Sequence, residues 1–216
     1  MDIQCINSYS YDSNIYVIKG AINTVVDTGT GLNQNYLFRE IKKLINPLKI
    51  DQIILTHEHF DHCGGVKKIF ELTGESCDII AHKYTSEKLI NGESSFADWL
   101  GGEMPRIRIS KECYGGEILK IGDENFEIIY TPGHSIGSIC LYSKKSNSLF
   151  SGDTIFSYGG FGRYDFQGGN LIQLKESIEN IALLDVKNLY PGHESIVEGD
   201  GNKHIKMTLT NIKNIG

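Results

Sequence analysis

Hydrophobic positions change period many times along the 216 residues, so strands and helices are mixed. Ile15–Lys19 and Asn23–Val26 predict two short strands joined around Gly20, and Asp27-Thr28-Gly29-Thr30-Gly31 predicts the turn after them. Leu37, Ile41, Leu44, Ile45 and Leu48 recur at helical spacing, and Pro47 stands where that helix should end. Ile53-Ile54-Leu55 predicts a buried strand running straight into Thr56-His57. Val66, Ile69 and Phe70 predict a helix that stops by Gly74, and Asp78–Ala81 a further strand. Three strands are expected near Phe126–Tyr130, Ile139–Tyr142 and Ser148–Phe150, the last two forming a hairpin that turns at Lys144–Asn147. Leu174, Ile178 and Ile181 mark a helix that Asn170 can cap. Lys187–Tyr190 reads as a last strand, and Ile205, Leu209 and Ile212 as a C-terminal helix.

Residues 92–116 carry the least regular pattern, with two Gly-Gly pairs, Pro105 and Trp99. A long irregular segment in a compact domain reads either as a lid or binding loop, or as a surface loop anchored by one buried aromatic. The chain shows no internal repeat, low-complexity stretch or clear linker, so residues 1–216 are expected to form a single domain.

Composition narrows the function classes. Net charge is −6 and the Lys/Arg residues form no dense run, which argues against a nucleic-acid partner. The cysteines Cys5, Cys63, Cys77, Cys113 and Cys140 are odd in number and dispersed. They suit neither a disulfide framework nor a zinc knuckle. With no signal-peptide pattern at the start, the expected setting is a reducing cytoplasm. No apolar run approaches the roughly 18 residues of a membrane span, so a membrane partner is not expected either. A small-molecule substrate is the remaining expectation, with the oligomeric state open.

The chemistry is concentrated in His57-Glu58-His59-Phe60-Asp61-His62, which directly follows a buried strand. Neutral imidazole and carboxylate are the usual N/O ligands of zinc and related ions. Clustered histidines with no such role would repel one another on protonation. The helical H-E-x-x-H pattern is absent, because position i+4 from His57 is Asp61. Three further stretches repeat the same design, a β-rich run ending in a turn that displays a ligand type. They are Thr131-Pro132-Gly133-His134, Ser151-Gly152-Asp153-Thr154 and Pro191-Gly192-His193. His57, His59, Asp61, His62, His134, Asp153 and His193 together exceed what one tetrahedral ion uses. Two ions with one shared carboxylate account for the whole set.

The order of these motifs resembles the metallo-β-lactamase superfamily, and the resemblance runs from Asp27-Thr28-Gly29 to His193. It implies an α+β fold, an αββα sandwich of two mixed β-sheets packed face to face with helices on the outer faces, and a site at one edge. It assigns His57, His59 and His134 to a first metal, Asp61, His62 and His193 to a second, and Asp153 to the bridge. The best-known β-lactamases have cysteine where Asp153 stands, and flavodiiron members usually have glutamate in place of His59. Phe161-Gly162-Arg163-Tyr164-Asp165 is similar to the Gly-Arg-x-Asp segment of glyoxalase II-like thioester hydrolases. The stretch after His193 carries no Arg-x-x-Asn-Pro ending and no helical thiol-binding region, a departure from those hydrolases that leaves open whether glutathione is the thiol used.

The resemblance implies a hydrolase in which a hydroxide activated by two metal ions attacks a thioester carbonyl. Zinc is the expected metal, with iron or manganese as alternatives. Asp61 is expected to be catalytic, ligating a metal and holding the hydroxide. Arg163 and Tyr164 are expected near an anionic substrate, although Arg163 could equally tie down its own loop. Asp27, Thr56 and Thr154 are candidates either for fixing imidazole orientation or for simple turn and strand-end hydrogen bonds. Cys63 reads as a small buried residue, and His82 and His204 as structural or surface histidines. The competing expectations are a mononuclear iron persulfide dioxygenase, using His57, His134 and Asp153, and a lactonase.

Overall fold

A computed structural model describes residues 1–7, 9–93 and 95–215, and it divides into two compact units. Unit 1 comprises Met1–Cys113 with Lys120–Glu124; unit 2 comprises Tyr114–Leu119 with Asn125–Gly216.

Unit 1 is built on a sheet of β1 (Asp2–Ile6), β2 (Ile15–Lys19), β3 (Thr24–Val26), β4 (Gln52–Leu55), β5 (Asp78–His82) and β6 (Lys111–Cys113), side by side in that order. The pairs β1–β2 and β2–β3 are antiparallel; β3–β4, β4–β5 and β5–β6 are parallel. Parallel neighbours require crossovers. These are α1 (Gln34–Leu44), then α2 (Phe60–Cys63) with α3 (Val66–Leu72), then α4 (Lys83–Asn91). The interior parallel strands β3, β4 and β5 are mostly apolar and buried, whereas the edge strand β6 is polar and largely exposed. Val25, Ile53, Leu55, Ile79 and Ala81 pack in one core with Leu37 and Ile41 of α1, Val66 and Ile69 of α3 and Leu89 of α4.

A second sheet has the order β11-β10-β9-β8-β7, formed by β7 (Ile118–Ile121), β8 (Glu124–Tyr130), β9 (Ile139–Ser143), β10 (Ser148–Gly152) and β11 (Asn188–Pro191). The pairs β8–β9 and β9–β10 are antiparallel, whereas β10 and β11 are parallel and linked through α5 (Leu171–Ile181). α5 starts where Asn170 accepts a hydrogen bond from the Gln173 backbone at 3.1 Å, the expected cap. In unit 2, Cys140, Leu149 and Leu189 pack with Leu174, Ile178 and Ile181 of α5 and with Ile205 and Ile212 of α6 (Gly201–Lys213). Between Phe150 and Gly152 the β10–β11 register shifts, so two residues of β10 oppose one of β11.

Candidate metal centre

In unit 1 the parallel pairing of β3 and β4 sets Val26 opposite Ile54, so both strands release their chains at one sheet edge. Asp27 follows β3 at φ 59°, a conformation uncommon outside glycine, and its N–H donates to the Ile54 carbonyl at 2.9 Å. Its carboxylate is buried and accepts from the Thr56 N–H, the Thr56 hydroxyl and His62 Nδ1, each at 2.8 Å. With its hydroxyl hydrogen directed to Asp27, Thr56 Oγ1 accepts from His57 Nδ1 at 3.1 Å. Both imidazoles are therefore fixed as Nδ1–H tautomers, and Nε2 carries the lone pair that a metal requires.

The rest of this cluster is equally constrained. His57 and His62 are fully buried and His59 nearly so, with ring centroids 4.7 Å apart for His57–His59 and 4.0 Å for His57–His62. α2 turns the chain so that an Asp61 carboxylate oxygen lies 3.7 Å from His62 Nε2. The turn at residues 27–31 clamps that helix. Thr28 donates its N–H and hydroxyl to the His62 carbonyl at 2.7 and 2.9 Å, and Gly65 donates to Gly29 at 2.8 Å. A Cβ at Gly65 would collide with the Thr28 carbonyl oxygen, so the close approach requires glycine there. The buried Cys63 donates to the Glu58 carbonyl at 3.2 Å. Burial, reinforced by the Glu58 charge, holds its thiol well above the usual range, which fits an inert buried residue.

Within residues 92–116, the position at 94 lies outside the described residues. Trp99 is 74% exposed, so a buried tryptophan does not anchor this segment. Ala97, Met104 and Ile109 are buried in the unit 1 core instead. Phe96, which the sequence pattern did not single out, packs edge-on to His59 at 4.8 Å and lies 5.1 Å from Trp99.

In unit 2 the ends of β8, β10 and β11 supply His134, Asp153 and His193. β8 and β10 both pair antiparallel with β9, and β11 runs parallel to β10, so all three chains emerge in one direction. His134 Nδ1 donates to the Arg163 carbonyl at 2.6 Å, which again leaves the lone pair on Nε2. The Asp153 carboxylate lies 3.5 Å from His134 Nε2 and 3.7 Å from His193 Nε2. A Cβ at Gly162 would collide with the Asp153 carbonyl and come within 2.5 Å of His134 Nδ1. Phe156 stands edge-on to His193 at 6.0 Å.

Each unit thus gathers its own share of the expected residues: His57, His59, Asp61 and His62 in unit 1, His134, Asp153 and His193 in unit 2. Buried or half-buried imidazole and carboxylate form an N/O donor set that suits zinc, iron or manganese. Thr154 takes the turn alternative: it donates to the Thr131 hydroxyl at 3.0 Å and braces a turn instead of an imidazole. Arg163 orients His134 through its carbonyl, a role not foreseen from sequence. The Arg163 guanidinium pairs with Asp165 at 2.9 and 2.6 Å and lies over the Phe166 ring at 4.1 Å; Tyr164 is half-buried. His82 caps α4 by accepting from the Tyr84 N–H at 3.2 Å.

A family model described as the metallo-beta-lactamase superfamily matches residues 10–193, spanning every residue above. The chain belongs to the metallo-beta-lactamase superfamily. A "Probable metallo-hydrolase MJ0888" of Methanocaldococcus jannaschii is 38% identical over 199 residues, covering 88% of this chain and 92% of that protein. A hydroxyacylglutathione hydrolase of Francisella philomiragia is 30% identical over 151 residues, covering 69% of this chain. The match spans only 51% of that relative's length. Among solved structures, the B3 metallo-beta-lactamase BLEG-1 superposes with a TM-score of 0.77 at 26% identity, over 94% of this chain and 96% of that one. The two mixed sheets with their helices are thus the metallo-β-lactamase fold that the motif order implied. Among the described residues, no helix is long and apolar enough to cross a membrane.

Proposed function

We propose that the two units act as one catalytic domain, a metal-dependent hydrolase that cleaves a small thioester of the glyoxalase II type in a reducing cytoplasm. In this reading His57, His59 and His134 would hold one ion, Asp61, His62 and His193 would hold a second, and Asp153 would be the carboxylate shared by the two. Zinc is the first choice for both. Such ions, when bound, supply Lewis-acid polarisation and lower the pKa of a water to near neutrality.

The protein's own groups then have distinct tasks. Asp27, Thr56 and the Arg163 carbonyl keep His62, His57 and His134 in the ligating tautomer. Asp61, whose carbonyl is fixed by the Ser13 N–H at 3.0 Å, accepts a proton of the attacking water and orients it. Arg163 and Tyr164 meet an anionic part of the substrate. The exposed Arg163–Asp165 pair is weak enough to be exchanged for such a group.

The observation that carries this reading is that the Nδ1 atoms of His62 and His134 are bound to a buried carboxylate and a backbone carbonyl at 2.8 and 2.6 Å. That arrangement leaves Nε2 of each ring with the lone pair that a metal ligand needs. The 30% identity to a hydroxyacylglutathione hydrolase supports the thioester. The test is elemental analysis of protein purified without added metal, beside a panel of thioesters, lactones and a persulfide. Two ions per chain with thioesters turned over fastest is the expected result. One iron per chain with oxygen uptake on the persulfide, or lactone cleavage without thioester cleavage, overturns it.

A further inference from the structure

Five residues past Asp153, unit 2 holds an exposed aromatic in an unfavourable backbone conformation. Tyr158 has φ 55° and ψ 26°, and its side chain is 71% exposed. A bulky non-glycine residue in the left-handed region persists only where its surroundings enforce it. Here they do. The Tyr158 N–H donates to His204 Nδ1 at 2.7 Å, and the two rings lie 5.1 Å apart. The Asn211 side chain donates to the Gly159 carbonyl at 2.9 Å and the Thr208 hydroxyl to the Gly160 carbonyl at 3.1 Å. Ser157 donates to the carboxylate of Glu194, the residue that follows His193, at 3.0 Å. α6 and the His193 turn thus fix a loop whose one large side chain points to solvent.

Two surface clefts meet this loop. One, of about 460 Å³, is lined by Ser157, Tyr158, Gly160 and Glu194. The other, of about 530 Å³, is lined by Lys203, Lys206, Met207 and Asn211 and by no acidic residue. They adjoin at Gly159, where a Cβ would lie 2.6 Å from Asn211 and 3.0 Å from Met207. The two lysines lie one helical turn apart on α6, and no acidic residue lines their cleft.

We propose that Tyr158, Lys203 and Lys206 form a recognition platform for a nucleotide-bearing thiol carrier, the leaving-group side of the thioester. A tyrosine face stacks on a heteroaromatic base. Lysine ammonium groups meet phosphate as point charges. A ring and two cations on one rigid surface match a base with its phosphates better than a peptidic thiol carrying only carboxylates. This rests on the thioester reading, but the platform's binding is measurable without turnover.

The experiment is titration calorimetry of adenosine diphosphate into the full chain, wild type and the variants Tyr158→Gly and Lys203→Ala/Lys206→Ala. Kinetics with a coenzyme A thioester and a glutathione thioester run beside it. Glycine is at home at φ 55°, so Tyr158→Gly should keep or raise the melting temperature. Each variant is expected to weaken nucleotide binding about tenfold, in the range of one lost stacking or phosphate contact. KM for the nucleotide thioester should rise correspondingly, with kcat and the glutathione-thioester KM unchanged. No nucleotide binding by the wild type, or equal binding by all three proteins, overturns the platform. Nucleotide binding that the variants lose, with no thioester cleaved, leaves the platform standing and removes the thioesterase reading.

Discussion

His62 Nδ1 donates its hydrogen to the Asp27 carboxylate at 2.8 Å, and both side chains are buried. Removing the acceptor leaves a buried imidazole N–H unsatisfied and lets the ring rotate. Loss of such an orienting partner typically lowers metal affinity about 10–100-fold. Asp27→Ala is therefore expected to retain less than the full complement of metal after mild chelation. Chelator competition followed by elemental analysis measures this, and unchanged retention would contradict the orienting role.

Asp61 is the ligand-type residue of unit 1 whose side chain is most open, at 22% exposure. Asp61→Asn preserves its shape but withdraws the proton acceptor. Turnover is expected to fall by about 10²–10⁴-fold, the usual contribution of a general base. Circular dichroism should show the fold intact. A near-normal rate would defeat the proposed role of this carboxylate.

Gly162 leaves no room for a methyl group between the Asp153 carbonyl and the His134 ring. Gly162→Ala must displace backbone or ring. An expected destabilisation of about 1–3 kcal/mol accompanies the overpacking. Melting curves and metal content should fall together, because the same contact serves both.

The buried thiols provide a test of pH dependence. Desolvation raises the Cys140 thiol to about 11, against an ordinary value near 9. The folded state thus holds this proton more tightly than the unfolded chain does. The stabilisation from burying the neutral thiol is complete below pH 9 and is lost as the pH rises toward 11. Cys140 and Cys63 should resist alkylation at pH 8 in the native protein and react on unfolding, as peptide mapping would show. Rapid native labelling of Cys63 would reopen a nucleophilic role for it.

Much of this architecture is legible in sequence because strand ends and ligand turns coincide. The apolar run Ile53–Leu55 abutting His57, and the Pro-Gly-His and Gly-Asp-Thr turns, mark the relevant sheet edges directly. β1 is hard to read: Asp2-Ile3-Gln4-Cys5 does alternate polar and apolar, but the edge strand is only five residues long and buries only Ile6, too short a signal to stand out. α4 is missed because Leu89 is its main apolar contact with the core and its other positions are mostly polar. The tether of His134 escapes any motif search, since a backbone carbonyl has no side-chain signature. Phe96 and Phe156 beside His59 and His193 escape as well, because ring packing on a candidate ligand depends on loop path.

The extra residue in β10, Ser151, has an effect reaching beyond the sheet. It absorbs the half-step mismatch between a strand that alternates inward and outward and a turn that must aim a carboxylate one way. Substitutions along the β9–β10 hairpin can therefore accumulate without redirecting Asp153. A deletion or insertion of one residue there cannot, since it would reverse the facing of every position up to the next turn. Length in this stretch should be held far more strictly than composition as the protein diverges.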